Sequence, residues 1–404
     1  MNRTSALLAP LLLACSGAGT EPLDGVRDAG TPQAAHDGGA RDAGPAPRDA
    51  GPRDAGPPPF LCVSDYPVAS CDAQDALVRM IETINTLPYL WTGDFRMEET
   101  GVYVGIYLDG EAPVGFLVDP EALPPEATAV PVALARGRAV YHYDDPDGYL
   151  DDLTGRAYIH RIGGEDVLMM RLTSEDLSAM RRGRYGLPGR MVREGFDIHQ
   201  RATFEPLVGA DRFLPWTAFP MTAEILAHEL LLLDALTDLD DAQTAPLRRE
   251  LLESYVAVID TIAQLDTTAE GDALYIIQET EHWSGSDAYI GYLAQERLAR
   301  ESFYEAFGGL QYTIDGELSA VGVSGLEELL KRHVWILSGA AALYLTTELG
   351  GNTYERLRTG ASPYTMAAEL TDLDDETRQQ RLDALKVRYN YGEKLRIATD
   401  AMAR

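Results

Sequence analysis

Two groups of ionisable residues sit inside otherwise apolar stretches of this chain, and any chemistry the protein performs is expected there. The first is Glu224, His228 and Glu229 within Ala223–Leu239, a segment apolar nearly all round, with Leu230 to Leu233 unbroken. Ionisable side chains in such a setting are expected to be buried or to face an inner cleft, and a buried charge needs a partner. The second group is Glu279, Glu281 and His282, followed by Trp283. On a helix Glu279 and His282, three apart, share a face, and that spacing can bring a carboxylate and an imidazole to one metal ion.

The segment Ile225-Leu226-Ala227-His228-Glu229-Leu230 resembles the opening of the zincin metallopeptidase helix, His-Glu-x-x-His. Trp283-Ser284-Gly285-Ser286-Asp287-Ala288-Tyr289-Ile290 resembles the downstream helix that supplies a glutamate ligand in gluzincins. The resemblance implies zinc held by two histidines four apart and a later glutamate, with Glu229 as general base on the metal-bound water. The pattern departs from the family in two places. Leu232 occupies the second histidine position, and the downstream ligand falls at Ser284, with Glu281 one helical turn before it. One histidine without a second ligand on its helix falls short of the three protein ligands usual at a catalytic zinc.

Three readings of these residues stay open on sequence. His228 and Glu229 form a satisfied polar pair in a helix core, with His282 partnered by a neighbouring carboxylate. Alternatively, a zincin-like scaffold has lost its metal and binds something else in the old cleft. In the third, His228, Glu229, Glu279, Glu281 and His282 build a different metal site across facing helices. A di-iron carboxylate bundle would need Glu-x-x-His twice, and the chain has it once.

Other chemistry-bearing patterns give less. The sequence has no Gly-x-Ser-x-Gly elbow, no phosphate-binding Gly-rich loop with Lys-Ser/Thr and no Rossmann fingerprint. Ser284-Gly285-Ser286-Asp287 reads as a helix interruption. His142 near Asp144, Asp145 and Asp147 suggests calcium, but the spacing lacks the Gly and Glu of an EF-hand loop, so a solvated acidic turn is expected. The run from Arg181 to Arg190 with Arg193 is the one basic island, suited to an anionic ligand or to pairing with the body's own carboxylates.

The start of the chain carries an address. Arg3 provides a positive n-region, and Ala6 to Leu13 form an apolar run too short to span a bilayer, as in a signal peptide covering 1–14. Leu12-Leu13-Ala14-Cys15 resembles the lipobox of bacterial lipoproteins, which implies acylation of Cys15 and stable membrane anchoring. Ser16, where the family's inner-membrane retention signal has Asp, points to the outer membrane. Residues 16–59 hold almost no large apolar side chain and repeat Arg-Asp-Ala-Gly at 27–30, 41–44, 48–51 and 53–56. The segment 15–59 is therefore expected to be a disordered tether, reaching on the order of 35–40 Å as a flexible coil. Cys62 and Cys71 remain, and in an oxidising envelope they are expected to pair as a clamp at the mouth of the body.

Composition sets the outer limits. The 404 residues, 45% of them hydrophobic, can bury a sizeable core as one large or two medium domains. Residues 1–14 carry +1 and 16–59 carry −3 of the formal −30, leaving −28 on the body from Phe60 onward. That sign repels phosphate backbones, so no nucleic-acid partner is expected.

Turn signals separate strand-like runs at 101–108, 114–118, 129–134, 139–143, 157–162 and 167–172, expected to pair antiparallel after a short helix at 75–87. Helical periodicity takes over with 222–239, 247–265, 272–306, 325–349 and 376–402. The apolar run Trp335–Leu345 is expected to be a buried core helix ended by Gly350-Gly351. The fold class is thus α+β, with a β-rich region over 60–219 and a mainly α-helical region over 220–404. The functional expectation is a membrane-anchored envelope lipoprotein, its protein or polymer partner unknown, with a binding or structural role and a non-catalytic metallopeptidase-like body. Its alternative is an active metal-dependent hydrolase, and only that alternative calls for zinc or another transition metal as cofactor.

Overall fold

The computed structural model describes residues 60–87, 95, 100–143, 158–162, 164–182, 186–209, 214–239, 241–299 and 323–403. The signal peptide, Cys15, the tether and the acidic turn at 144–147 lie outside the described residues. So do Arg184 and the residues after 299 of the expected 272–306 helix.

The body opens on a disulfide between Cys62 and Cys71, Cα atoms 5.2 Å apart, directly ahead of helix α1 (Cys71–Thr86). Ser70 caps α1 by accepting from Ala73 N–H. Inside the looped segment the buried Gln74 amide accepts from Val63 N–H at 2.8 Å and donates to the Val63, Tyr66 and Ala69 carbonyls. One side chain thus bonds four backbone groups of the looped segment.

Six strands form one mixed sheet in the order β3-β4-β2-β1-β6-β5: β1 (Val102–Tyr107), β2 (Val114–Val118), β3 (Thr128–Ala129), β4 (Val140–His142), β5 (Tyr158–Ile162) and β6 (Glu165–Thr173). Period-2 alternation sorts the side chains. Val102, Val104, Phe116, Leu168 and Met170 join the main core, and Tyr103, Leu117, Tyr143 and Met169 form a second cluster on the other face. The expected all-antiparallel pairing is corrected at the centre, where β1 and β6 run parallel in the register Val102↔Leu168. The antiparallel set β3-β4-β2-β1 and the β5–β6 hairpin each form locally, and they meet edge to edge with the same strand direction. The expected strand 129–134 shrinks to β3, because Pro131 initiates a one-turn helix α2 (Val132–Ala135).

Helices begin well before 220. Thr173 and Asp176 form a reciprocal capping box that starts α3 (Ser174–Arg181), and α4 (Gly186–Thr203) buries Met191, Val192, Phe196 and Gln200. The remaining helices are α5 (Ala223–Leu236), α6 (Ala245–Leu265), α7 (Asp272–Thr280), α8 (Ser286–Ala299), α9 (Val334–Glu348), α10 (Thr353–Arg358), α11 (Pro363–Thr371), α12 (Asp375–Arg388) and α13 (Tyr391–Met402). The class is α+β, strands in the N-terminal half and helices mostly C-terminal. Helix α9, apolar on all sides and ended by Gly350 at φ +86°, is the buried centre against which α5, α6, α7, α8 and α11 pack. Among the described residues no helix is long and apolar enough to cross a membrane. One apolar cluster runs from Ala69 to Ala401.

The interruption expected at Ser284–Asp287 takes the form of a π turn, Glu281–Gly285, between α7 and α8. The expected 325–349 and 376–402 helices are interrupted too, by a π turn at Leu329–His333 and by Asn390 at φ +52°.

Candidate functional site

Helix α5 starts where Thr222 accepts from Ile225 N–H, and from Ile225 to Leu236 every residue is buried. His228 Nδ1 lies 2.7 Å from the Glu224 carbonyl, which fixes Nδ1 as the donor of the neutral ring. Its ring tilts against Tyr391 of α13, centroids 4.7 Å apart, and its Nε2 is buried with no hydrogen-bond partner among the described residues. Burial lowers its pKa to about 4, against the opposing Glu224 carbonyl and with a further push from Lys386.

Glu229 is completely buried, and neither carboxyl oxygen has a hydrogen-bond partner among the described residues. Burial raises its pKa well above the usual carboxylate range, against a smaller opposing pull from Lys331. Consecutive helical residues point about 100° apart, so His228 and Glu229 address different neighbours. Leu232 is also fully buried in the core.

The second cluster is built by the π turn. The extra residue in that turn carries Glu281 against α9 at Gly339, where a Cβ would sit 2.8 Å from Glu281 Cβ. Glu281 Oε1 accepts from the Tyr255 hydroxyl at 2.6 Å and from Ser338 at 3.2 Å, and Oε2 accepts from Tyr364 N–H at 3.3 Å. Burial outweighs these three donors and raises the carboxyl to about 8. The network continues through the Tyr364 hydroxyl to Asp260, which Arg378 holds at 2.5 Å.

Both ring nitrogens of His282 face main-chain carbonyls: Nδ1 is 3.0 Å from Ala361 O, and Nε2 is 3.2 Å from Glu205 O. The ring stitches the 204–208 segment to the 358–361 segment, which also pair through Glu205 N–H to Arg358 O and Val208 N–H to Gly360 O. Burial lowers its pKa, while the two carbonyls favour the charged ring. Glu279, one turn earlier, is half-buried, and burial raises its carboxyl too.

These residues do not converge. His228 is surrounded by Glu224 and Tyr391, and His282 by Phe204, Glu205, Trp283 and Ala361, with no residue in common. Among the described residues no three His, Cys, Asp or Glu side chains group at metal-binding distance. The expected carboxylate partner for His282 is replaced by the two carbonyls, which side-chain patterns cannot reveal. Nothing in the sequence marks Tyr255 and Ser338, because each looks like one more member of a buried helix face.

Arg181 pairs with Asp72 and Asp75, and Arg193 with Asp287 at 2.5 Å. His142 packs edge-on against Phe116. A separate concavity of about 140 Å³ opens where the end of α5, the start of α6 and the end of α12 meet. Comparison of the chain with family models, curated proteins and solved structures gives no match.

Proposed function

We propose that the chain is a lipid-anchored envelope protein whose body binds a partner or ligand and does not hydrolyse peptides. The anchoring part rests on the lipobox at Cys15 and the charge-balanced tether behind it. The observation carrying the rest is the commitment of the candidate donors. Glu281 spends its lone pairs on Tyr255, Ser338 and Tyr364, and both His282 nitrogens face carbonyls, the protonated one donating. Leu232 fills with hydrocarbon the place that the zincin pattern gives to a ligand.

One observation favours the rival reading of an active metal-dependent hydrolase: Glu229 and His228 Nε2 are buried and have no hydrogen-bond partner among the described residues. Unsatisfied buried polar groups cluster at functional sites and are costly to keep. The two readings separate on the full chain extracted from membranes, by elemental analysis of bound metal beside a general protease assay.

A further inference from the structure

We propose that the concavity between α5, α6 and α12 is a binding site for an organic cation bearing one ring-sized apolar group. This rests on the binding role proposed above and names its ligand class.

The floor of the cleft is hydrocarbon: Ala235 and Ala242 on one side, Leu251 and Leu385, both buried, on the other. A volume of about 140 Å³ is the size at which an apolar cavity accepts a single benzene-like group. All the charge stands at the rim. Asp238 is held by Arg388 at 2.6 Å and accepts from the Tyr389 hydroxyl, and Glu250 pairs with Arg381 at 3.2 Å. The third rim carboxylate, Asp241, is exposed and has no side-chain partner among the described residues.

The helix ends at the cleft are two negative against one positive: α5 and α12 end there with Leu236 and Arg388, and α6 begins there at Ala245. With three carboxylates against two guanidiniums, one positive charge is missing. A bare metal ion does not suit the place, because calcium or magnesium would want six or more oxygens and half of this lining is aliphatic. A primary ammonium on a short linker from an aromatic ring satisfies both halves: the ring covers Leu251 and Leu385, and the ammonium meets Asp241.

The probe is 2-phenylethylamine, titrated calorimetrically into the full chain in lipid nanodiscs with empty nanodiscs as blank. A dissociation constant of about 1 mM is expected for a ligand of this size. Asp241→Asn should weaken binding about tenfold, and Ala384→Trp, on an exposed helical position lining the cleft, should fill it and abolish binding with the circular dichroism spectrum unchanged. The anionic analogue 3-phenylpropionate should not bind. Equal affinity for amine and acid, binding that survives Ala384→Trp, or no saturation at about ten times the expected constant each overturns the assignment. None of these readouts depends on metal or proteolysis, so failure here is distinct from failure of the non-hydrolytic reading.

Discussion

The Tyr255 hydroxyl donates to Glu281 Oε1 at 2.6 Å, joining the middle of α6 to the π turn that interrupts α7 and α8. Both groups are fully buried, so the bond supports a carboxyl that water cannot reach. Tyr255→Phe leaves Glu281 with two donors and should destabilise the protein by about 1–3 kcal/mol. Chemical denaturation of the two proteins measures it, and a change within error would show that the carboxyl finds another donor.

Stability should depend on pH in a defined way. Glu281 is raised from 4.5 to about 8, so the stability it contributes is complete below 4.5 and is lost as pH rises through 8. His228 is lowered from 6.5 to about 4, so its contribution is complete above 6.5 and is lost as pH falls through 4. The two together predict a plateau between 4.5 and 6.5 with decline on either side. Denaturation midpoints across pH test this. Glu281→Gln should make the alkaline limb shallower, the rest belonging to the Glu229 and Asp287 carboxyls that burial also raises, and leave the His228 limb.

Glu229 has no hydrogen bond among the described residues, so replacing it with a hydrocarbon of similar size removes a cost. Glu229→Leu should raise stability by about 1–3 kcal/mol. Loss of stability instead would mean that the carboxyl is satisfied in solution by a group such as an internal water.

Much of the fold is legible in the sequence for local reasons. The apolar run Trp335–Leu345 with Gly350 behind it predicts a core helix with its stop, and five of the six expected strands recur with shifts of one or two residues. Helix α4 is hidden because Gly186, Pro188 and Gly189 stand at its start and break the helical pattern where it should declare itself. Ser284 and Gly285 mark a break in the helix, but its form as a π turn is invisible because the cause, the approach of Glu281 to Gly339, lies 58 positions away. For the same reason the sequence names Glu281 and His282 as noteworthy without supplying their partners.

The clamp at the body's entrance gives a further expectation. Gln74→Ala would strand the Val63 N–H and Ala69 carbonyl that its amide now satisfies, costing about 1–3 kcal/mol. Opening the Cys62–Cys71 bridge should cost a similar amount, about 2–3 kcal/mol on loop entropy. Denaturation with and without reductant measures both. An unchanged midpoint for Gln74→Ala would mean that water replaces its amide.

Anchoring has its own test. Cys15→Ala should leave the protein as precursor or free of membranes, while wild-type protein takes up radiolabelled fatty acid; wild type without label would refute the lipid anchor.

The central claim, a binding body built on a helix that lacks its second zinc ligand, is tested most directly by metal content and proteolysis measured on one preparation of the full chain. The account predicts far less than one transition metal per chain, and no proteolysis that Glu229→Gln removes. It also predicts that Leu232→His only destabilises, by about 2–5 kcal/mol, through the loss of a buried leucine. Stoichiometric zinc in the wild-type protein, with protease activity that Glu229→Gln abolishes while the fold persists, would contradict it.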